Sequence, residues 1–490
     1  MARSRLFVLW LSYWVLSVGC RTDPQHPATL FELPINLAHL EHLSEDVVRG
    51  DSVLRLVHIY AEAPDYRWVD DPDEGAACVD DAARAAVLYL RLYELTGNDT
   101  FRHTAEKLLR FVLYMQRADG LFYNFVYSNQ LDINTTHPNS RAEPFGWWAS
   151  RAVWALGMAA DVLQEANPAL ASQAARAARR ALVHLDRTWL VRYPRTRRVQ
   201  GRLLPEWLVY RYGADASSEL LLGLIRLQNA TPDTMLARMI RQLAEGMQMM
   251  QYGSMARHPY GAHASWIDTW HGWGNAQTQA LAAAGYLQSA RYEAEHFYPR
   301  LLVYGWMYAM SLDDSTRVQR YEQIAYAVRC VAVGLIRLYE QTGEVRYAIL
   351  AGLAASWLTG NNEAGVPMYD PATGRGYDGI RGPGEVNYNA GAESTIEALY
   401  TLLEVYRHEP ARRWLYARGT SPVEVTRDGV RYAYRVFRVQ EKQRVRSVAV
   451  VLNLSAERLE LLEGKALQQF LLEVGRTSGQ YEAQAYATGF

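Results

Sequence analysis

The sequence is poor in cysteine, nearly free of net charge and, beyond its first twenty residues, without a long apolar run. Its 3 cysteines in 490 residues are Cys20, Cys78 and Cys330, too few and too far apart for a disulfide scaffold or a cysteine-built zinc site. Lys and Arg number 51 against 52 Asp and Glu, a net charge of -1. That balance lacks the concentrated basic surface that phosphate binding needs, so nucleic acid is not expected as a partner. No segment after residue 20 has the length and apolarity to cross a bilayer. Among 12 histidines there is no HExxH or similar spacing, so a catalytic zinc is not expected, and nothing in the sequence demands another metal or a cofactor.

Aromatic residues are what the chain has in excess, with 14 Trp and 32 Tyr. Flat rings stack on the apolar faces of sugars and nucleobases, and without a basic surplus the sugar is the expected partner. Many of these rings are needed simply to fill helix interfaces.

The first twenty residues, MARSRLFVLWLSYWVLSVGC, place Arg3 and Arg5 before an apolar run that is short for a membrane span, and then small residues. This reads as a signal peptide over residues 1–20. Its end, LSVGC, is similar to the bacterial lipobox, which implies lipidation at Cys20, export, and attachment to a membrane only through that lipid.

Residues 44–415 repeat one unit: an apolar helix, a short polar turn, and a more amphipathic helix. Residues 78–95 pair with 100–117 across a Thr96-Gly97-Asn98 stop. Further pairs are expected at 145–163 with 168–185, 215–227 with 232–250, 275–289 with 292–310, and 320–339 with 345–358. A last helix at 390–406 is expected to pair with a first one near 45–60. The repeat shows in letters too, since "LRLYELTG" at Leu90 echoes "IRLYEQTG" at Ile336. One helix of each pair is apolar or small on all sides, as in "WWASRAVWALGMAA", and belongs inside; the other carries charge, as in "RHTAEKLLRF". Small residues such as Ala82, Ala83, Ala282 and Ala283 suit close approach of the inner helices.

This inner-ring, outer-ring pattern resembles the (α/α)6 toroid of the six-hairpin glycosidase superfamily. The resemblance implies an all-α (α/α)6 toroid over residues 44–415, preceded by an extension at 21–43. Past Pro422 the period changes to alternation around an Asp428-Gly429 turn, which predicts a small β-sandwich-like domain over residues 420–490.

In such a toroid every inner helix starts on the same face, so the segments leading into them share one basin. Those segments are rich in acids and aromatics. "CVDDAARAAVLYL" puts Asp80 and Asp81 at a helix start, one expected as a cap and the other as a reactive acid held by Arg84. "NSRAEPFGWW" supplies Glu143, Trp147 and Trp148, of which adjacent helical geometry lets one tryptophan face the basin. Asp215 is expected to cap a helix or bind a hydroxyl. "WIDTWHGWG" surrounds Asp268 with Trp266, Trp270, His271 and Trp273, a setting in which desolvation helps a carboxyl keep its proton. "NYNAGAEST" brings Tyr388 and Glu393, with Glu397 deeper in the helix as an internal ion-pair partner.

Two opposed carboxylates in an aromatic basin are the equipment of glycosidic hydrolysis. The superfamily resemblance implies an inverting enzyme, with its acid and base about 6.5–9.5 Å apart. Asp268 or Glu393 is the expected acid and Asp80 or Asp81 the expected base. Two other readings use the same scaffold. A polysaccharide lyase would work through Tyr388, Asn387, Asn389, His271 or Arg381, although acid-rich lead-in segments repel a uronate. A surface glycan-binding protein would need no chemistry at all.

Overall fold

The computed structural model describes residues 35–442 and 444–478; the signal reading and Cys20 lie outside the described residues. The chain enters through a short helix α1 (Ala38–His42) and then pairs α2 (Val79–Thr96) with α3 (Asp99–Tyr114) and α4 (Trp147–Val162) with α5 (Pro168–Thr188). Next come α6 (Ala214–Ala230) with α7 (Thr234–Met249), and α8 (Gln277–Ala283) with α9 (Leu287–His296) and α10 (Tyr298–Tyr304). The series ends with α11 (Ala325–Thr342) and α12 (Val345–Ala355), then α13 (Ala392–Tyr406), the short α14 (Glu409–Arg412), and α15 (Gly464–Ser478). Among these described helices none is long and apolar enough to cross a membrane.

Composition explains the two layers. Helix α4 is buried at every position from Trp148 to Ala160, whereas α5 buries only Leu170, Ala171, Ala174, Ala175, Ala177, Ala178, Ala181, Leu182 and Leu185, a single stripe. The inner helices α2, α4, α6, α8, α11 and α13 pack in that order, and α13 closes onto α2. Outside them α3 covers α2, α5 covers α4, α7 covers α6, α9 covers α8 and α12 covers α11. The tightest inner contact is between α4 and α6, where two glycines face each other. A Cβ on Gly157 would stand 2.2 Å from the Gly223 carbonyl oxygen, so even alanine is too large there. Gly97 and Gly343 end α2 and α11 in left-handed conformation, at φ 65° and 70°.

The helix expected near residues 45–60 is instead a β-hairpin, Ser44–Arg49 paired with Ser52–Val57, which packs on α3. Val47, Val48, Val53 and Val57 favour extended backbone, and Gly50 at φ 59° makes the reversal between the strands. The outer position beside α13 is taken by α1 and α14. The expected helix over 275–289 stops at Ala283 before Gly285, at φ 84°. The one over 292–310 breaks between His296 and Tyr298 and ends at Gly305, at φ 100°. Residues Ala309–Ser311 then pair with Thr269–His271.

Near the C-terminus lies a single antiparallel sheet rather than a sandwich of two. Arg418–Gly419 and Val423–Arg427 both pair with Val430–Glu441, followed by Arg444–Asn453 and Arg458–Glu463. One face, with Tyr434, Val436, Ala449 and Val451, packs on Leu467, Phe470 and Val474 of α15. The opposite alternation, with Phe437, Val448, Val450 and Leu452, is equally buried, and this side meets α10. A helix therefore does the covering that a second sheet would do in a sandwich.

Candidate active site

The first turns of α2, α4 and α13 and the segments leading into α8 and α11 surround one cavity of about 530 Å³. Its acids are Glu74, Asp80, Asp81, Glu322, Asp378 and Glu393, its cations Arg84 and Arg151, and its rings include Trp147, Trp148 and Trp273. Residues 74 and 393 thus become neighbours because inner-helix starts share a face.

The cap of α2 is neither aspartate. Cys78 accepts the Asp81 backbone N–H on its sulfur at 3.4 Å, and its thiol donates to Asp81 Oδ2 at 3.2 Å. The Asp80 carboxylate and Asp81 Oδ1 are left for other partners. Asp80 pairs with Arg151 at 2.7 Å and takes the Asn124 amide N–H at 3.0 Å. Asp81 pairs with Arg84 at 2.7 Å. Burial lifts the Asp81 carboxyl to about 6 against the pull of Arg84, with the charge of Glu393 adding to the rise.

Beneath the cavity lies a buried ionic floor that spans the ring. Arg84 reaches Asp81, Glu393 at 2.8 Å and Glu397 at 3.3 Å, and so ties α2 to α13. Arg329 of α11 binds Glu397 at 2.7 Å and Glu219 of α6 at 2.6 Å. Arg151 of α4 binds Glu219 at 2.9 Å and donates to the Tyr326 hydroxyl at 2.9 Å, while that hydroxyl donates to Glu219 at 2.6 Å. The Tyr326 ring has Arg84, Arg329 and Arg151 at 4.8, 4.9 and 5.6 Å from its centre. Burial opposes ionisation of Glu219, yet the surrounding arginines hold it down to about 2. Burial raises Glu397 in spite of Arg329 and Arg84.

The cavity wall is electrostatically different. Asp378 accepts the Gly391 N–H at 2.9 Å and the Ser394 hydroxyl at 2.7 Å on one oxygen. No cation pairs with it among the described residues. Burial pushes its carboxyl up against those two hydrogen bonds, and the charges of Glu322 and Glu393 push the same way. Glu393 gives one oxygen to Arg84 and remains 43 % exposed, open to the cavity. Glu322 accepts the Asn387 amide N–H at 3.3 Å, with Arg381 more distant at 3.6 Å. Glu74 accepts the Tyr60 hydroxyl at 2.7 Å and has no cationic partner among the described residues.

Trp147 and Trp273 form an aromatic corner, 5.7 Å apart, with Arg151 4.7 Å from the Trp147 ring centre. Trp273 is fixed from behind by His271, whose ring stacks on it at 3.8 Å. The two nitrogens of that histidine are engaged by the Trp273 carbonyl at 2.7 Å and by Asp215 at 3.0 Å. Asp215 is buried, anchors the wall through His271 and is not among the residues that line the cavity. Trp148 also borders the cavity, contrary to the expectation that one of the pair would, although its indole is 8 % exposed and donates to the Phe122 carbonyl at 2.8 Å.

Other residues singled out by the sequence stand elsewhere. Asp268 is exposed and borders a separate hollow of about 340 Å³ with Thr269, Ser311 and Arg317, so the desolvation expected for it is absent. Trp270 is buried edge-on against Phe297, and Trp266 leans on Tyr210. Glu143 is exposed and pairs with Arg117 at 3.3 Å. Tyr388 meets Tyr377 edge-on and does not line the cavity, and Asn389 accepts the Ala63 N–H at 3.0 Å. Glu322 and Asp378 were missed. Glu322 stands three residues before α11, and the inner-helix rule applied to "RYEQIAYAV" finds it. Asp378 arrives on a strand-linked loop and carries no local signal beyond the flanking residues of "GYDGI".

No protein-family model matches the chain, and no curated protein matches it. Solved structures do. A cellobiose 2-epimerase from Bacillus thermoamylovorans is 12% identical, covering 76% of this chain and 96% of its own, with a TM-score of 0.53. A D-mannose isomerase is 13% identical over 76% of this chain and 94% of its own, with a TM-score of 0.52. A cellobiose 2-epimerase from Spirochaeta thermophila is 14% identical over 72% and 89%, with a TM-score of 0.51. At these identities the likeness is one of fold, and the fold is the (α/α)6 toroid.

Proposed function

We propose that this chain hydrolyses a glycosidic bond of a poly- or oligosaccharide held in the inner-helix cavity. The observation that carries the reading is the contrast between two acids on one aromatic-cornered cavity: Asp378, desolvated and without a cation, and Glu393, held by Arg84. An acid whose surroundings favour the protonated form is equipped to give that proton to a leaving oxygen. Asp378 has one oxygen filled by Gly391 and Ser394, which leaves the other to carry a proton to the leaving oxygen. Glu393 has one oxygen on Arg84 and one available to a water.

As Asp378 protonates the glycosidic oxygen, the bond from the anomeric carbon to that oxygen breaks. A water attacks the same carbon from the opposite face and gives its proton to Glu393, which yields a hemiacetal and a free hydroxyl with inversion. The tryptophan corner stacks the ring, and Asp80 accepts from a hydroxyl at the floor. Sugar epimerases and an isomerase share the toroid, and they carry this proposal no further than the scaffold.

The test is product analysis on a panel of oligosaccharides, with Asp378→Asn and Glu393→Gln alongside the parent. Hydrolysis products are expected, and each substitution is expected to lower kcat/KM by about 10²–10⁴-fold. Because the Asp378 pKa is raised, its proton survives to higher pH than an ordinary aspartate's, and activity is expected to fall on the alkaline side as that proton leaves. An isomer of unchanged mass, an unsaturated product absorbing in the ultraviolet, or binding without turnover would each overturn hydrolysis.

A further inference from the structure

We infer that the sugar taken by this cavity carries a free ammonium group, which docks on Glu74; the inference rests on the proposed site and names its substrate class. Six carboxylates line the cavity against two guanidiniums. Those two are buried, their side chains 4% and 7% exposed, and both are already paired with acids. Arg84 spends its three nitrogens on Asp81, Glu393 and Glu397, and Arg151 spends its own on Asp80, Glu219 and the Tyr326 hydroxyl. Neither buried, ion-paired guanidinium offers a free cation to a uronate, sulfate or phosphate, and the excess of acids over cations in the lining repels them.

Carboxylate oxygens, in contrast, are left over. Glu74 uses one oxygen on the Tyr60 hydroxyl, and its other oxygen has no partner among the described residues. An ionised carboxylate only accepts, and of the donors a sugar presents an ammonium is the one that also brings charge. Glu74 comes from the segment before α2, while Asp378 and Glu393 come from the segments around α13. An ammonium at Glu74 leaves those two acids to the bond being broken. Trp147 and Trp273 supply the stacking surface that makes this a sugar site and not a simple cation site.

The experiment measures binding and turnover by the full chain of four matched oligosaccharide sets: free-amine glucosamine, N-acetylglucosamine, glucose and a uronic acid. The amine set is expected to bind at least about tenfold more tightly than each of the others at low salt. Glu74→Gln is expected to bring that preference below about threefold. Preference for the N-acetylated, neutral or uronic set would overturn the inference, as would a preference that Glu74→Gln leaves intact. Turnover of a neutral set without amine preference removes this inference and spares hydrolysis; amine-selective binding without turnover removes hydrolysis and spares this inference.

Discussion

The ionic floor and the cavity wall both carry carboxylates, and Glu219 in the one and Asp378 in the other sit under opposite electrical conditions. Glu219 sits among Arg151, Arg329 and Arg84 and is driven to about 2; Asp378 has no cation and is driven upward. Below, buried charge is compensated and holds helices α2, α4, α6, α11 and α13 in register. Above, Asp378 has no cation among the described residues to offset its burial. Burial and the number of cations beside an acid decide together: Glu397 is still raised beside Arg329 and Arg84, whereas three arginines bring Glu219 down.

Removing one cation from the floor is the strongest way to break this contrast. Arg329→Met leaves Glu219 and Glu397 short of charge in a buried place, and a loss of about 3–5 kcal/mol in stability is expected, read by denaturant unfolding. A smaller loss is expected where no charge is involved: Gly157→Ala forces α4 from α6 and costs roughly 1–3 kcal/mol by the same measurement. The smallest effect sharpens the boundary of the site. Asp268→Asn alters an exposed acid in the separate hollow, and turnover is expected to stay within about twofold of the parent.

The helical period and the apolar character of alternate segments were legible because burial on all sides leaves a helix with no polar stripe. Convergence of inner-helix starts was legible as well, and it brought Asp80, Asp81, Arg84, Trp147, Trp273 and Glu393 together. What stayed hidden depends on distance. Arg84 and Glu393 are 309 residues apart, and Arg329 and Glu219 are 110 apart; no local pattern pairs them. Asp268 misled because three tryptophans in nine residues look like an enclosure, yet Trp270 points to Phe297 and Trp266 to Tyr210, leaving the acid outside. The hairpin at Ser44–Arg49 and Ser52–Val57 was misread because a sixfold repeat invited a twelfth helix where valines and a left-handed glycine prefer a strand pair.

The bond from Arg84 to Glu393 joins the first inner helix to the last, and this has a bearing on biosynthesis. A growing chain that has not yet released α13 from the ribosome has Asp80, Asp81, Trp147 and Trp148, but Arg84 lacks two of its three acidic partners and the carboxylate proposed to activate water does not exist. Contacts of such long sequence separation form late. On the proposed reading, an unfinished chain has no complete site until the circle shuts.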